Sequence, residues 1–335
     1  MSNITDVARL AGVSVATVSR VLNKNVTVSD KAREKVLDAI RQLGYNPNGV
    51  ARNLRRQKSK IVLVILPSIT NTFYSKVVRG MENMGRTHGY NVLLCTTGND
   101  KDRELLYLDM IKTRQADGVI FLYSTLSDEE LRVFGGMYPA VQCSEYKEQA
   151  GIVYVSIDNI LAAEETVAYL AARGHRRIAM VSERQVGSSA LREIGYQRVL
   201  AKRGIDAALI EYGDYSYQSG YKAAQRIFEK QPETTAIFAI SDLMAMGCIR
   251  AAMDMGFSVP DRLAVSGFDN ILYSHMFPPE LTTVSQPRYQ MGEAAMELLI
   301  AQIEKGKKIK QKNILMPHRL IIRGSTEHKN KEECK

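Results

Sequence analysis

The chain has 335 residues, 45% of them hydrophobic, which suits two or three domains with a large buried core. No stretch approaches the ~20 consecutive apolar residues of a membrane span, and the first residues lack the basic and apolar regions of a secretory signal, so we expect neither a membrane protein nor a secreted one. Four cysteines lie far apart without a Cys-x-x-Cys pair, which argues against a zinc cluster or a disulfide framework.

The positive charge is concentrated at the N-terminus. Of the net charge of +9, residues 1–60 carry +8, from 12 Lys and Arg against 4 Asp and Glu. A basic segment joined to a nearly neutral body is typical of a module that binds a polyanion. A solvated basic tail is the alternative, but apolar residues recur at helical spacing here, which predicts a folded unit.

Three short helices are predicted in this segment, each preceded or begun by a Ser or Thr that can cap it. A glycine turn separates the first two helices, and the apolar residues of all three can share one core. This arrangement is typical of a helix-turn-helix unit, whose second helix enters the major groove of DNA. The predicted helices and caps are 5–11 with Thr5, 15–22 with Ser14, and 29–44 with Ser29.

The first residues of the second helix are the predicted base readers. Val15 and Ala16 can contact thymine methyl groups or allow close approach to the bases. Arg20 can hold a guanine through its O6 and N7 atoms, with a phosphate contact as the alternative role. Contacts to phosphates, which fix the register without reading the sequence, are predicted for Thr17, Ser19 and Asn23.

Residues 47–60 predict a short hinge helix and a linker. Pro47 can open a helix, and Val50, Ala51 and Leu54 form a small apolar stripe. The segment is too short to be a stable helix alone in water. On DNA it can order, with Leu54 as a wedge between base steps of the minor groove. A plain basic linker is the alternative.

Four motifs in these residues carry a resemblance to a known family: Asp6-Val7-Ala8, Ala11-Gly12-Val13-Ser14, Ala16-Thr17-Val18-Ser19-Arg20-Val21-Leu22-Asn23 and Gly44-Tyr45-Asn46-Pro47-Asn48. They resemble the headpiece and hinge of the lactose-repressor/galactose-repressor family. The resemblance implies that the hinge helix forms only on operator DNA, in a dimer, with Leu54 as the wedge and Arg55 beside it. Gly49 departs from the family pattern and lowers hinge-helix propensity by up to ~1 kcal/mol. The predicted DNA-binding residues are Thr5, Ser14, Val15, Ala16, Thr17, Ser19, Arg20, Asn23, Asn48, Ala51, Leu54 and Arg55.

From residue 61 onward, apolar strands alternate with amphipathic helices. Continuous apolar runs such as 61–66 are typical of buried parallel strands, and the scheme restarts after 153–156. Two such series predict two doubly wound lobes, with a small-molecule site in the cleft at the carboxyl ends of the strands. The predicted strands are 61–66, 90–95, 118–122, 153–156, 178–181, 236–240 and 263–267. The predicted helices are 74–89, 103–114, 159–173, 189–203, 216–230 and 243–255.

Signatures of enzymes are absent from the sequence. It contains no Gly-x-Gly-x-x-Gly after the first strand, no Walker loop and no Gly-x-Ser-x-Gly elbow. The five histidines are scattered, and no spacing pairs two carboxylates as acid and base. We therefore expect no catalysis, no cofactor and no metal.

The family resemblance continues to about Thr326, through motifs such as Arg192-Glu193-Ile194-Gly195-Tyr196 and Gly267-Phe268-Asp269-Asn270. It implies that Phe73 and Tyr215 are aromatic walls of an effector site. It also implies that Arg192 grips hydroxyls or a polar ring edge, and that Asp269 accepts hydrogen bonds from paired hydroxyls. The alternatives are ordinary aromatic packing, an interlobe salt bridge for Arg192 and a turn role for Asp269. The predicted effector-binding residues are Phe73, Arg192, Tyr215, Ser241 and Asp269, with Ser124, Ser144, Glu145 and Arg288 as weaker candidates.

Within the family, stretches such as Cys143-Ser144-Glu145-Tyr146 and Gln286-Pro287-Arg288-Tyr289 are similar to the cytidine-repressor branch. These stretches are rich in framework residues, so they leave the ligand open between a sugar or sugar derivative, a nucleoside, another metabolite and none. Whether the ligand is an inducer or a corepressor is also open.

The resemblance implies a cytoplasmic transcriptional regulator that acts as a repressor and has no membrane role. It would bind palindromic operator DNA as a homodimer. The lobe that carries helices 74–89 and 103–114 would form much of the dimer face. A sugar-binding protein of the extracytoplasmic type is the first alternative and an enzyme on the same scaffold the second. The predicted fold is α/β, with a helix-turn-helix headpiece, a hinge helix and a body like the periplasmic binding proteins. The predicted boundaries are 1–46 for the headpiece, 47–60 for the hinge, 61–157 with 288–316 for the N-terminal lobe, 158–287 with 317–326 for the C-terminal lobe, and 327–335 for a flexible tail.

Overall fold

The computed structural model describes residues 2–22, 28–45, 58–184, 187–206, 208–306 and 312–327. The chain divides into two compact units, residues 1–59 and 60–335. The first unit has its own apolar core, separate from the two core clusters of the second. In the described residues, no helix is long and apolar enough to cross a membrane.

The first unit contains three helices, α1 (Ile4–Ala11), α2 (Val15–Leu22) and α3 (Asp30–Leu43). Gly12 ends α1 with a φ of 65°, a left-handed conformation that suits glycine because it lacks a Cβ. The fully or nearly fully buried side chains of the three helices are Val7, Ala8, Ala11, Val18, Val21, Val36 and Ala39.

The predicted cap of α1 was wrong by two residues. The Asn3 side chain accepts hydrogen bonds from the N–H groups of Thr5 and Asp6, at 2.8 and 3.1 Å, and the Asp6 carboxylate accepts one from the Asn3 N–H in return. This reciprocal pair is a capping box, so Asn3 and not Thr5 caps the helix. The predicted Ser14 cap is confirmed, since its hydroxyl accepts from the Thr17 N–H at 3.1 Å.

The second unit is built on two six-stranded sheets with helices on their faces. The first sheet has the order β11-β5-β4-β3-β1-β2 and is parallel throughout. Its strands are β1 (Ile61–Leu66), β2 (Asn91–Thr96), β3 (Gly118–Phe121), β4 (Ala140–Cys143), β5 (Tyr154–Ile157) and β11 (Ile314–Met316).

The second sheet has the order β12-β10-β9-β8-β6-β7, in which only β12 runs antiparallel to its neighbour. Its strands are β6 (Ile178–Glu183), β7 (Leu209–Gly213), β8 (Ala236–Ala239), β9 (Ala264–Asp269), β10 (Thr282–Ser285) and β12 (Arg319–Ile321). The chain therefore passes between the sheets three times, after β5, after β10 and after β11. We call the part of the unit around the first sheet the first lobe, and the part around the second sheet the second lobe.

The helices of the two lobes lie against the faces of the sheets. In the first lobe they are α4 (Phe73–Thr87), α5 (Lys101–Lys112), α6 (Asp128–Met137) and α11 (Arg288–Lys305). In the second lobe they are α7 (Asn159–Ala172), α8 (Ser188–Arg203), α9 (Tyr217–Lys230) and α10 (Asp242–Asp254). Helices α4 and α11 approach closely because each offers a glycine to the other's backbone, Gly80 against Tyr289 and Gly292 against Val77.

Candidate functional site

The DNA-facing candidates of the first unit lie on α2. Its buried face, with Val18 and Val21, packs into the headpiece core, so the opposite face is turned outward. Val15 and Arg20 are exposed there. The structure therefore leaves the predicted base readers accessible to a DNA groove.

The polar candidates of the headpiece differ in what they already bond. The Ser14 hydroxyl lies 2.9 Å from that of Thr17 and caps α2, so part of its bonding capacity is used within the helix. Ala16 and Thr5 are exposed, and Thr17 and Ser19 are half-buried. The remaining predicted DNA contacts lie outside the described residues: Asn23, Asn48, Ala51, Leu54 and Arg55.

A cleft of about 390 Å³ opens between the two lobes of the second unit. Its walls come from segments at the carboxyl ends of strands of both sheets, the place where parallel sheets bind ligands. Of the predicted residues, six line this cleft: Phe73, Ser144, Glu145, Arg192, Tyr215 and Asp269.

Arg192 lies on α8, and its side chain lines the cleft. Its guanidinium lies 3.6 Å from the centre of the Phe268 ring, Nε donates to Asn159 Oδ1 at 3.0 Å, and Nη1 donates to the Ile240 carbonyl at 2.7 Å. The side chain is only 4% exposed, so these contacts fix its position before any ligand arrives. The interlobe salt bridge considered as its alternative role is not among the contacts of the described residues.

Asp269 is the last residue of β9 and is also buried against the cleft. Its Oδ1 accepts a hydrogen bond from Gln286 Nε2 at 2.7 Å. Burial raises the pKa of this carboxyl to about 6, against the opposing effects of Arg192, Arg288 and the Gln286 hydrogen bond. Its backbone φ of 109° is rare for a residue with a side chain. A buried carboxylate with limited partners can accept hydrogen bonds from a ligand.

Aromatic side chains form much of the remaining wall. Phe73 begins α4 and meets Tyr74 edge-on, with ring centroids 5.4 Å apart. Tyr215 has a φ of 64°, and burial raises the pKa of its phenol, as it raises that of Tyr74. These rings offer flat apolar surface with hydroxyl groups at the edge, which suits a sugar ring or a base.

Glu145 reaches across the cleft from the first lobe to the second. One carboxylate oxygen accepts from the Ser188 N–H at 2.7 Å, and the other accepts from the Ser188 hydroxyl. Ser188 is the first residue of α8, so the carboxylate occupies the positive end of that helix.

Two predicted effector residues are not brought to the cleft. The Ser124 hydroxyl donates to the buried Glu104 carboxylate behind the wall, and Ser241 accepts from the Met244 N–H at 3.3 Å as the cap of α10. The weaker candidate Arg288 lies behind Phe73, 6.0 Å from its ring, and donates to the Asn270 carbonyl. None of the three lines the cleft.

The sequence interpretation missed several lining residues. Tyr74 follows the predicted site residue Phe73, and Ser189 begins a predicted helix. Other lining residues directly follow strands. Position after a strand or at the start of a helix is therefore the sequence signal that could have found them. The lining residues that were not predicted are Pro67, Ser68, Thr70, Asn71, Tyr74, Asn99, Tyr123, Glu183, Ser189, Asp214, Ser216, Tyr217 and Leu243.

Comparison with known proteins finds a matching family model in each of the two units of the chain. Residues 3–48 match "Bacterial regulatory proteins, lacI family", and residues 167–326 match "Periplasmic binding protein-like domain". Catabolite control protein A of Priestia megaterium is 39% identical over 330 residues, covering 96% of this chain and 98% of that protein. The transcriptional repressor CytR of Escherichia coli strain K12 is 37% identical over 329 residues, covering 97% of this chain and 96% of that one.

A solved structure shows the same architecture. The lac repressor dimer bound to operator and the anti-inducer ONPF has a TM-score of 0.87 and 27% identity, covering 97% of this chain and 99% of that chain. These matches confirm the predicted fold class and the prediction of a DNA-binding regulator rather than an enzyme. The chain belongs to the lacI family of bacterial transcriptional regulators.

Proposed function

We propose that this regulator binds a palindromic operator as a homodimer in the cytoplasm, and that a small effector in the interlobe cleft controls the binding. The observation that carries the proposal is the convergence of Arg192, Asp269 and two aromatic walls at the carboxyl ends of both sheets. The DNA-binding part of the proposal is supported by α2, whose outward face lies in a separate basic unit of the chain.

The chemistry of the cleft favours a polyhydroxylated molecule or a nucleoside. Asp269 can accept hydrogen bonds and Arg192 can donate from Nη2, while Phe73 and Tyr215 cover the faces of a ring. A ligand that leaves one of these buried polar groups unpaired loses roughly 1–3 kcal/mol of binding free energy, which gives the cleft its selectivity. A sugar or sugar derivative and a nucleoside are both compatible with this set.

A dimer is supported by apolar side chains that the first lobe leaves exposed. Strand β2 is at the edge of its sheet and exposes Leu93 and Leu94, and α5 exposes Leu105 and Leu106. An edge strand with leucines on its surface is typical of an interface. The lac repressor structure, a dimer on its operator, supports the same assembly.

For control of DNA binding, we propose that the effector changes the relative orientation of the lobes. This would change the spacing of the two hinge segments of the dimer, so that the headpieces fit the operator in only one state. We also propose the lobe boundaries expected from the sequence, 61–157 with 288–316 and 158–287 with 317–326, which the strand order of the two sheets supports.

The test combines the two halves of the proposal. The full chain is used to select DNA from a random pool, and the selected site is then titrated with and without ribose, glucose, cellobiose, adenosine and cytidine. We expect a two-fold symmetric site and one compound that changes its affinity at least about fivefold. A selected site without symmetry would overturn the dimer. Ligands that bind without changing DNA affinity would overturn the coupling.

A further inference from the structure

We propose that the cleft accepts uncharged or positively charged small molecules and excludes phosphorylated and carboxylated ones. This inference rests on the proposed function of the cleft as an effector site and specifies the class of effector. Three observations carry it: the charge of the described lining residues, the hydrogen bonds that Arg192 already makes, and the side-chain acceptors that already bond helix N-termini beside the cleft.

The described lining residues carry four carboxylates against one guanidinium. The acidic side chains are Glu145, Glu183, Asp214 and Asp269, and Arg192 is the basic one, so the formal excess is three negative charges. If Asp269 takes up a proton, an excess of two remains. A cleft with one dominant sign of charge repels ligands of that sign, and low-dielectric walls strengthen the effect.

The ionisation of the charged groups in and behind the cleft wall also favours the exclusion of anions. Hydrogen bonds from Ser216 and Ser219 lower the pKa of Asp214, so this carboxylate stays charged at neutral pH. Outside the lining, Arg288 is the basic group that bears on Asp269, and it also bears on the buried Asp242. If the charge of Arg288 is counted with the lining groups, the formal excess falls from three negative charges to two, and it stays negative.

Arg192 is poorly placed to grip an anion. Recognition of a phosphate or carboxylate by arginine uses two parallel N–H donors. Here Nε and Nη1 already donate to Asn159 and Ile240, and the guanidinium face is covered by Phe268. One N–H of Nη1 and both N–H groups of Nη2 remain. Because Nε is already bonded, the pair of parallel donors on the Nε–Nη2 edge is not available to an anion.

At three helix N-termini beside the cleft, one backbone N–H group already donates to a side chain. Such termini are common phosphate sites, because their free N–H groups point toward the ligand. Here the Asn71 side chain accepts from the Phe73 N–H of α4, Glu145 accepts from the Ser188 N–H of α8, and Ser216 accepts from the Ser219 N–H of α9. An anionic ligand at the start of α8 would also lie beside the Glu145 carboxylate, whose negative charge would repel it.

The experiment compares matched compounds on the full chain by calorimetry. The sets are ribose with ribose 5-phosphate, adenosine with adenosine 5′-phosphate, and glucose with glucosamine, glucose 6-phosphate and glucuronate. For any parent compound that binds, we expect its phosphate or carboxylate to bind at least about tenfold more weakly, and its amine to bind at least as well. An anionic member that binds as tightly as its parent overturns the proposal.

A charge variant tests the cause. In the double variant Glu183→Gln with Asp214→Asn, the ratio of phosphate to parent affinity should rise about tenfold or more. The control Glu229→Gln removes an exposed charge on α9 away from the cleft, and should leave the ratio unchanged. An unchanged ratio in the double variant would show that these carboxylates do not cause the exclusion, and would overturn it as stated.

Inorganic phosphate gives a measurement that does not depend on the effector. Fluorine NMR of the full chain labelled with 3-fluorotyrosine has reporters in the cleft, Tyr74 and Tyr123, and one in the headpiece, Tyr45. Phosphate should leave the cleft resonances unchanged. Saturable shifts there overturn the proposal. If none of the parent compounds binds and the cleft resonances do not respond to phosphate, the exclusion stands and the proposed effector function fails for these compounds.

Discussion

Glu145, just beyond β4 of the first lobe, bonds both the backbone N–H and the hydroxyl of Ser188, the first residue of α8 in the second lobe. The contact also depends on the residue before Ser188. Gly187 has a φ of 132°, and a Cβ at this position would lie 2.6 Å from Glu145 Oε2. Glycine suits this position because its φ is one that residues with a side chain rarely adopt, and a side chain there would also push the Glu145 carboxylate aside.

The first prediction concerns this glycine. Gly187→Ala should lower the free energy of unfolding by about 2 kcal/mol or more, because the backbone is strained and the new methyl group displaces Glu145. In a Glu145→Ala background the same change should cost less, with an interaction energy of about 0.5–3 kcal/mol. Urea unfolding of the four proteins measures both quantities.

The control for this cycle is Gly174→Ala. Gly174 also has a positive φ, of 94°, but no atom lies within 4 Å of a Cβ built there. Its cost should be the same in both backgrounds. Additive effects of Gly187→Ala and Glu145→Ala would contradict a coupling of the two lobes through this contact.

The second prediction uses the raised pKa of Asp269, about 6 in the folded chain. The unfolded chain has the ordinary value near ~3.9, so between these values the folded state binds more protons and stability falls as pH rises. Asp269→Asn cannot ionise and can still accept the Gln286 hydrogen bond. It should therefore raise the free energy of unfolding at pH 7 by about 2–3 kcal/mol.

The gain should disappear below about pH 4, where the wild-type carboxyl is protonated in both states. The measurement is the melting temperature of both proteins from pH 4 to pH 8, with Asp206→Asn as the control at an exposed carboxylate. A gain that is equal at all pH values would contradict a buried charge as its cause. Ligand affinity should fall in Asp269→Asn even as stability rises.

The third prediction concerns base reading by Arg20. Arg20→Ala should relax the preference at one base pair of each half-site by ~1–3 kcal/mol, because a bidentate contact to guanine is lost. Binding to operators with every single substitution measures this. The control Arg41→Ala removes an exposed arginine of α3 that pairs with Asp38. A uniform loss on all sequences would make Arg20 a phosphate contact.

The fourth prediction concerns Leu54, which lies outside the described residues. Leu54→Ala should weaken binding to the operator more than to random DNA, because only the ordered hinge inserts the wedge. Leu37→Ala, at an exposed leucine of α3, is the matched control. Equal losses on both DNAs, measured by fluorescence anisotropy at one salt concentration, would contradict the wedge.

The sequence predicted the long elements because their patterns were strong. The apolar run at β1 and the amphipathic helices α7 and α9 were placed within two residues. Strand β4, Ala140–Cys143, was missed because four buried residues carry no periodicity of their own. The cap of α1 was misplaced because Asn3 and Thr5 are both good capping residues, and only the Asp6 partner decides between them.

The site was harder to predict than the fold. Tyr123 lines the cleft, whereas the hydroxyl of the adjacent Ser124 donates to the buried Glu104 carboxylate, because both residues follow β3 in a segment outside regular secondary structure, whose side-chain directions the sequence does not define. The predicted strand 118–122 located the segment but did not fix which of the two side chains faces the ligand. The same limit applies at Ser241, which caps α10 while Leu243 reaches the wall.

Because β11 and β12 lie near the C-terminal end of the chain, the headpiece is synthesised completely long before either sheet. The headpiece is complete once residue 45 has been synthesised, whereas the sheet that begins at Ile61 gains its last strand only with Met316. At ~5–20 residues per second the interval is roughly 14–54 s. The recognition helix α2 thus leaves the ribosome well before the two sheets around the cleft are complete. A message truncated before β11 would still encode the whole headpiece, but each of the two sheets would lack one strand.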